Sequence, residues 1–256
     1  MTPVVYIGRG AIKSVRTLGK AGYLTTGALR ALRNVEIWGP RLVTQMVSVG
    51  VASVPIALFI AAFTGIVLAI NASYTLTGAV PLYLVGALVG KAMILELGPV
   101  LIGLSLAGRV GASTAAEVGT MRVTEQIDAL ETLAYDPLAY LVVPRVLAGM
   151  IMFPVVIVLA SAIGILAGWS ASLTLLDLSS PEFIRGLRLF FLPWDIQFAA
   201  IKSLSFGLIV TGVGSFYGFQ AKGGAGGVGV ATTRAVVVSS MLILVLDAFW
   251  AVVLLS

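Results

Sequence analysis

The sequence predicts an all-α, polytopic integral membrane protein, on three observations. Of 256 residues, 59% are hydrophobic and only 11% are charged. A soluble domain carries about 25% charged residues, so too little charge is present to coat a water-facing globule, and too much apolar surface for a disordered chain. Five apolar stretches are each long enough for a helix to cross a bilayer, which takes about 20 residues. Strict period-2 alternation is absent, which argues against an outer-membrane β-barrel.

The first element is predicted from charge. Residues 1–41 hold seven of the sixteen basic residues and one acid, Glu36. Arg9, Lys13, Arg16 and Lys20 recur at helical spacing, and Ile7, Ala11, Val15 and Leu18 fall broadly on the other side. That pattern reads as an interfacial amphipathic helix with its basic face toward anionic headgroups, against the alternative of a solvated basic tail. No short apolar core ends in a small-residue cleavage site, so the segment does not read as a signal peptide. The predicted spans then run over about 42–69, 80–107, 138–176, 199–219 and 235–255. The third exceeds one bilayer crossing and contains Pro144 and Pro154, which predicts a tilt or kink. Segments 1–41, 108–136 and 220–234 hold most of the basic residues outside the spans, whereas 71–79 holds no charge. The positive-inside rule therefore orients the N-terminus toward the cytoplasm and the C-terminus outward. The whole of 1–256 reads as one domain, with 1–41 interfacial and 42–256 forming the bundle.

Cysteine and histidine are absent. This excludes disulfides, thiolate or imidazole metal sites, cysteine nucleophiles and a Ser–His–Asp triad, and no metal centre is expected. No G-x-x-x-x-G-K-[ST] match occurs, so the chain is not expected to hydrolyse ATP itself or to carry a cofactor. The basic excess is read as membrane-directed, with no nucleic-acid partner.

Charge inside the spans is therefore informative, because an ionised group at the bilayer centre costs about 2.5–3.5 kcal/mol on insertion scales and normally faces a cavity or a partner. Glu96 lies in Glu96-Leu97-Gly98-Pro99-Val100 with Lys91 five residues earlier, and Pro99 removes a backbone donor. Asp247 is flanked by apolar residues in the last span. Lys202 stands near the outer start of the fourth, and Arg234 near the inner start of the fifth. Glu96, Lys202, Arg234 and Asp247 are candidates for lining a substrate cavity, and a plain Asp247–Lys202 ion pair is the structural alternative. For Lys91 the alternatives are a structural pair or a snorkelling side chain. Arg109 and Glu117 stand among small residues and read as packing. The pairs Gly86/Gly90, Gly164/Gly168 and Gly214/Gly218 mark candidate close helix crossings. The run Gly223–Gly229, beside Lys222, reads as a flexible turn.

Between the second and third spans a short amphipathic helix is predicted near 123–134. Thr124 is its expected N-cap, with Glu125 in the first turn. Glu125, Asp128 and Glu131 share one face, while Val123, Ile127, Leu130 and Ala134 form an apolar stripe. Asp136-Pro137 is expected to end it. An acidic face is repelled by anionic lipid, so either a protein groove or plain solvation fits it.

The ordered motifs Glu96-Leu97-Gly98-Pro99-Val100, Ala107-Gly108-Arg109-Val110-Gly111-Ala112, Glu117-Val118-Gly119-Thr120-Met121, Thr124 to Leu130, Asp136-Pro137, Tyr140 to Arg145 and Gly223 to Val237 resemble the MlaE family of permeases, from about residue 40 to the end. The resemblance implies the multi-pass subunit of a bacterial inner-membrane ABC transporter for phospholipids or related lipids. Its implied partners are a second copy of the chain, a cytoplasmic ATPase dimer that binds the ATP, and a periplasmic MCE-domain oligomer; some systems add a STAS-type subunit. It also implies that Thr124, Glu125, Gln126, Ile127, Asp128, Ala129, Leu130 and Glu131 belong to a coupling helix that docks on the ATPase. The competing readings are a non-transporting membrane scaffold or assembly factor, and an intramembrane aspartyl enzyme using Glu96 and Asp247.

Overall fold

The computed structural model describes residues 3–76, 81–176 and 178–255, which contain helices and no strand. Nine helices follow in order: α1 (Pro3–Ala31), α2 (Val35–Val49), α3 (Val54–Thr75), α4 (Leu84–Val123), α5 (Gln126–Thr132), α6 (Leu138–Leu175), α7 (Ser180–Phe190), α8 (Pro193–Phe219) and α9 (Gly224–Leu255). Five helical segments are long and apolar enough to cross a membrane: 35–75, made of α2 and α3, then α4, α6, α8 and α9. Their outward faces carry exposed Phe59, Phe63 and Val67 on α3, and Met241, Val245 and Val252 on α9. Such faces suit hydrocarbon rather than water.

The spans are longer than the hydropathy pattern indicates. The first starts at Val35 and bends at Gly50, where a single 3₁₀ turn, Val51–Ser53, joins α2 to α3. The second does not stop near 107: α4 runs on to Val123, so Gly108–Met121 is helix rather than connector. It is wound as π-helix over Met93–Ile102 and Ala107–Gly111. Pro99 falls in the first of these segments, and the wider turn accommodates the missing N–H without ending the helix. The fourth span begins at Pro193. The fifth begins at Gly224, so the glycine run is mostly helical; the turn itself needs only Gly223 and Gly224, at φ +85° and +71°. Helix α7 is an element that the sequence reading did not anticipate. Its start is marked by Glu182, whose carboxylate accepts from the Ser179 hydroxyl and backbone N–H. Those two bonds, the hydroxyl's first, hold the carboxyl below its ordinary pKa.

Helices α3 and α6 run parallel, as do α4 and α8, because their contacts advance in the same direction along both partners. Lys91 meets Asp195, Glu96 meets Lys202, and Gly214 lies against Gly111. Backbones touch where side chains are missing. A Cβ on Gly65 would lie 1.9 Å from the Gly164 carbonyl oxygen, and one on Gly207 would lie 2.2 Å from that of Gly149. Each predicted small-residue pair sits at such a crossing: Gly86 and Gly90 on α7, Gly164 and Gly168 on α3, and Gly214 and Gly218 on α4.

Helix α1 packs its Ala28 and Ala31 face on Leu138, Ala139 and Val143 of α6. The indole of Trp38 donates to the Leu32 carbonyl at 3.0 Å and holds the α1–α2 turn. Arg16 and Lys20 are exposed. Arg9 and Lys13 are in the helix, but their side chains lie outside the described residues.

Replacing Gly65 by alanine is expected to destabilise the detergent-solubilised protein by about 1–3 kcal/mol through overpacking. Gly108→Ala, where a Cβ meets nothing within 4 Å, serves as the comparison and should be neutral or mildly stabilising. Thermal unfolding of both variants measures the difference.

Candidate functional site

The charges inside the spans converge. Lys202 of α8 has no exposed side-chain surface. Its ammonium donates to Glu96 Oε2 of α4 at 2.8 Å and to the Leu95 carbonyl at 3.0 Å. It also lies 2.5 Å from Asp247 Oδ1 of α9, an ion pair whose angles fall outside hydrogen-bond geometry. Pro99, four residues after Leu95, has no N–H to donate in the α-helical position. In the π-wound segment Met93–Ile102 the backbone donor moves one residue on, and Lys202 adds a side-chain donor to the Leu95 carbonyl. The ring of Phe198 lies 5.1 Å from the ammonium, inside cation–π range.

The cluster holds one cation and two carboxylates, a formal charge of −1. Lys202 is enclosed by its three oxygen partners and presents nothing to a ligand. The Glu96 side chain is 42% exposed and that of Asp247 20%, so the face the cluster shows is carboxylate. Leu97, next to Glu96, lines a groove of about 380 Å³ with Leu101 and with Phe63, Thr64, Val67, Leu68 and Asn71 of α3. Asp247 is steadied by its own helix: Trp250 donates to the Ser205 hydroxyl at 2.9 Å, and that hydroxyl donates to the Lys202 carbonyl at 2.6 Å.

A second buried pair reinforces the same α4–α8 contact. Lys91 donates to both carboxylate oxygens of Asp195 at 2.8 Å. Asp195 is 3% exposed and also accepts from the Leu192 N–H at 2.9 Å. Sequence reasoning passed over Asp195, although Pro193-Trp194-Asp195 has the form of a helix start, proline first and an acid in the opening turn. Arg234 does not join this group. It lies on α9 thirteen residues before Asp247, about 20 Å along the axis, and lines a cavity with Arg16, Lys20 and Lys222. Arg109 donates to the Ser53 hydroxyl and to the Ser48 carbonyl at the α2–α3 bend. Arg145, 6% exposed, pairs with Glu117 at 2.9 Å.

The acidic helix is α5, shorter than expected. Thr124 is not its N-cap: its hydroxyl donates back to the Thr120 carbonyl and it closes α4. The cap position is held by Glu125 at φ 60°. The other end also differs. Ala134, at φ 60°, and Tyr135 fold back on the Glu131 and Leu130 carbonyls. This is a Schellman closure with alanine where glycine is usual. Asp136 instead starts α6, its carboxylate accepting from the Leu138 N–H at 2.9 Å. The apolar stripe buries in part: Ile127 is 1% exposed and, with half-buried Leu130, packs on Val118, Leu141 and Phe219, whereas Val123 is half-buried and Ala134 is exposed. Glu125, Asp128 and Glu131 are exposed, and Asp128 pairs with Arg122 at the end of α4 at 2.5 Å. Helix α5 is thereby fastened to the helix that carries Glu96.

With Lys202 between Glu96 and Asp247, the two acids cannot share a proton as an aspartyl dyad does. Long apolar helices joined through ion pairs between the spans, with no nucleotide-binding motif, have the character of a transporter's membrane subunit. Comparison with known proteins agrees: the chain belongs to the Permease MlaE family, whose profile matches residues 42–253. It is 37% identical over 246 residues to the intermembrane phospholipid transport system permease protein MlaE of Haemophilus influenzae, covering 94% of this chain and 93% of that one. It is 36% identical over 239 residues to a probable ABC transporter permease protein of Rickettsia bellii, covering 93% and 92%. Protein TRIGALACTOSYLDIACYLGLYCEROL 1, chloroplastic, of Arabidopsis thaliana is 33% identical over 219 residues, 86% of this chain and 62% of that one.

Lys202→Met should destabilise the protein by about 1.5–3 kcal/mol, since it removes the counter-charge of mostly buried Asp247 and of partly exposed Glu96. Adding Glu96→Gln and Asp247→Asn should recover most of the loss. A thermal-unfolding cycle over these variants reads the coupling directly, and additive effects would refute the network.

Proposed function

We propose that this chain is the membrane-spanning subunit of an ABC transporter that moves phospholipids or related lipids between the bacterial inner membrane and a periplasmic MCE protein. ATP is bound and hydrolysed by separate cytoplasmic subunits, and two copies of the permease pair to form the passage. The N-terminus faces the cytoplasm and the C-terminus the periplasm, in keeping with the positive-inside rule. The observation that carries this reading is the Glu96–Lys202–Asp247 cluster, which joins three spans.

The mechanical route follows from how α5 is fastened. The ATPase dimer grips the exposed face of Glu125, Asp128 and Glu131. Its closure displaces α5, which moves the end of α4 through the Arg122–Asp128 pair and the Ile127 packing. Helix α4 carries two π-wound segments, Met93–Ile102 and Ala107–Gly111, a winding often found at functional sites, so it can shift register against α8. Such a shift strains the Glu96–Lys202 and Lys91–Asp195 pairs together. The lipid rests with its chains in the apolar groove beside Leu97 and leaves as the α4–α8 contact rearranges.

Reversing the charge of Glu125, Asp128 and Glu131 to lysine is expected to abolish co-purification of the ATPase while the permease stays folded. Normal co-purification would remove the docking role. Asp247→Asn should slow lipid transfer in reconstituted vesicles by tenfold or more. Unchanged transfer at equal expression assigns the residue to structure alone.

A further inference from the structure

A second polar centre lies far from the charge cluster and has no part in the transport route above. Between α1 and the α8–α9 turn is a cavity of about 720 Å³ whose lining includes Arg16, Lys20, Lys222, Arg234, Tyr217 and Gln220. No acid lines it. None of the four basic side chains has an ion pair or hydrogen bond among the described residues. Gly227, in the first turn of α9, also lines it, which adds the positive end of a 32-residue helix. Four unpaired cations around one void repel each other, and an anion between them relieves that repulsion.

The cavity continues along α1. Lys20, Gln220 and Lys222 also line a neighbouring space of about 660 Å³, where Arg122, Glu131 and Asp136 add charges of both signs. Leu24 of that space lines a third, of about 350 Å³, walled by apolar Ala28, Leu29, Leu32, Val143 and Met150. From Lys20 to Leu32 the wall passes from basic to largely apolar, with Thr25 as a polar side chain in the far cavity, over about 18 Å. Half of a bilayer's hydrocarbon core is about 15 Å. The gradient therefore has the length and polarity of one lipid.

We propose that this trough holds one anionic phospholipid, its phosphate among Arg16, Lys20, Lys222 and Arg234 and an acyl chain against Leu24, Ala28 and Leu32. Free phosphate matches the basic end alone, whereas the apolar continuation selects a lipid. The site is separate from the Glu96 cluster, whose net negative charge repels the same group. The inference does not depend on the transport reading, and its test uses the permease alone.

Native mass spectrometry of the full chain in neutral detergent counts bound lipid. Phosphatidylglycerol is expected to be retained in preference to phosphatidylcholine with the same acyl chains. Each basic residue near an anionic headgroup contributes about fivefold in affinity, so Lys222→Gln with Arg234→Gln should weaken retention at least tenfold. Arg188→Gln, on α7 at the far end, should leave it unchanged. Arg234→Lys, which keeps the charge, should retain binding, a result that lost packing alone does not give. Gly212→Leu fills the apolar cavity, where a Cβ at that position meets nothing within 4 Å. It should weaken phosphatidylglycerol severalfold without changing binding of glycerol phosphate. Equal retention of the two lipids by native protein and double variant overturns the proposal. So does glycerol phosphate binding as tightly as phosphatidylglycerol with Gly212→Leu inert, which would make this a soluble-phosphate site. Variants are compared where size exclusion and far-ultraviolet circular dichroism match the parent; should the double variant misfold, Arg234→Gln alone carries the test.

Discussion

An ammonium ion shut away from water inside an apolar bundle is costly, by several kcal/mol even after relaxation. Lys202 meets that cost by drawing three oxygens to itself, from Glu96, Asp247 and the Leu95 backbone. Since these belong to α4 and α9 while the lysine belongs to α8, one ion fixes how three spans meet. The Leu95 carbonyl lies in the π-wound segment that contains Pro99, so the change in backbone winding and the side-chain ion pair meet at one place on α4. A hydrophobic triad of similar volume would hold the helices together as well or better. What the ionic version adds is a defined register, since a one-turn slip of α4 on α8 would leave both the Glu96–Lys202 and the Lys91–Asp195 pairs unmade.

Around that anchor the bundle is held by close backbone contact. Hydrophobic burial does not distinguish helix–helix from helix–lipid contact inside a membrane, so van der Waals packing at small residues must supply the association. Gly65 on Gly164 and Gly149 on Gly207 do this at separations that no side chain tolerates. The parallel pairs α3–α6 and α4–α8 follow from threading consecutive spans in alternate directions. The α9 helix is the least enclosed of the five membrane-crossing segments, and its apolar outer face is left to lipid or to another protein chain.

The two ends of the molecule are built differently. At one end α7 lies across α4, with Gly186 against the Tyr83 carbonyl, and caps the bundle. At the other, α1, α5 and the α8–α9 turn surround charged cavities, and α5 is tied to α4 by Arg122 and to α6 by Leu141. The left-handed Glu125 and Ala134 bracket α5 at conformations that cost a non-glycine residue roughly 1–2 kcal/mol each. A helix set between two such corners is held at a fixed attitude to the bundle.

The sequence by itself determined the membrane environment, five crossings, the basic character of α1 and the inward turn of Ile127 and Leu130 on α5, because these depend on composition and on helical period. Its motif order also pointed to the family that the comparisons then showed. It brought Asp247 and Lys202 together as one of two readings, since two lone charges in apolar spans have few other partners. It placed the glycine pairs at crossings, since only small residues admit close approach. Helix lengths were less legible: the continuation of α4 to Val123 and the start of α9 at Gly224 rest on packing of small residues that look like loop when read locally. Only the tertiary structure decided that Glu96 completes the cluster, that Asp195 is the partner of Lys91, and that Arg234 belongs with α1 instead. The reason is physical. Local period sets which face of a helix a charge occupies, but the groups it meets there are set by how far each helix slides along its neighbours, and that is decided by close contacts between residues some hundred positions apart.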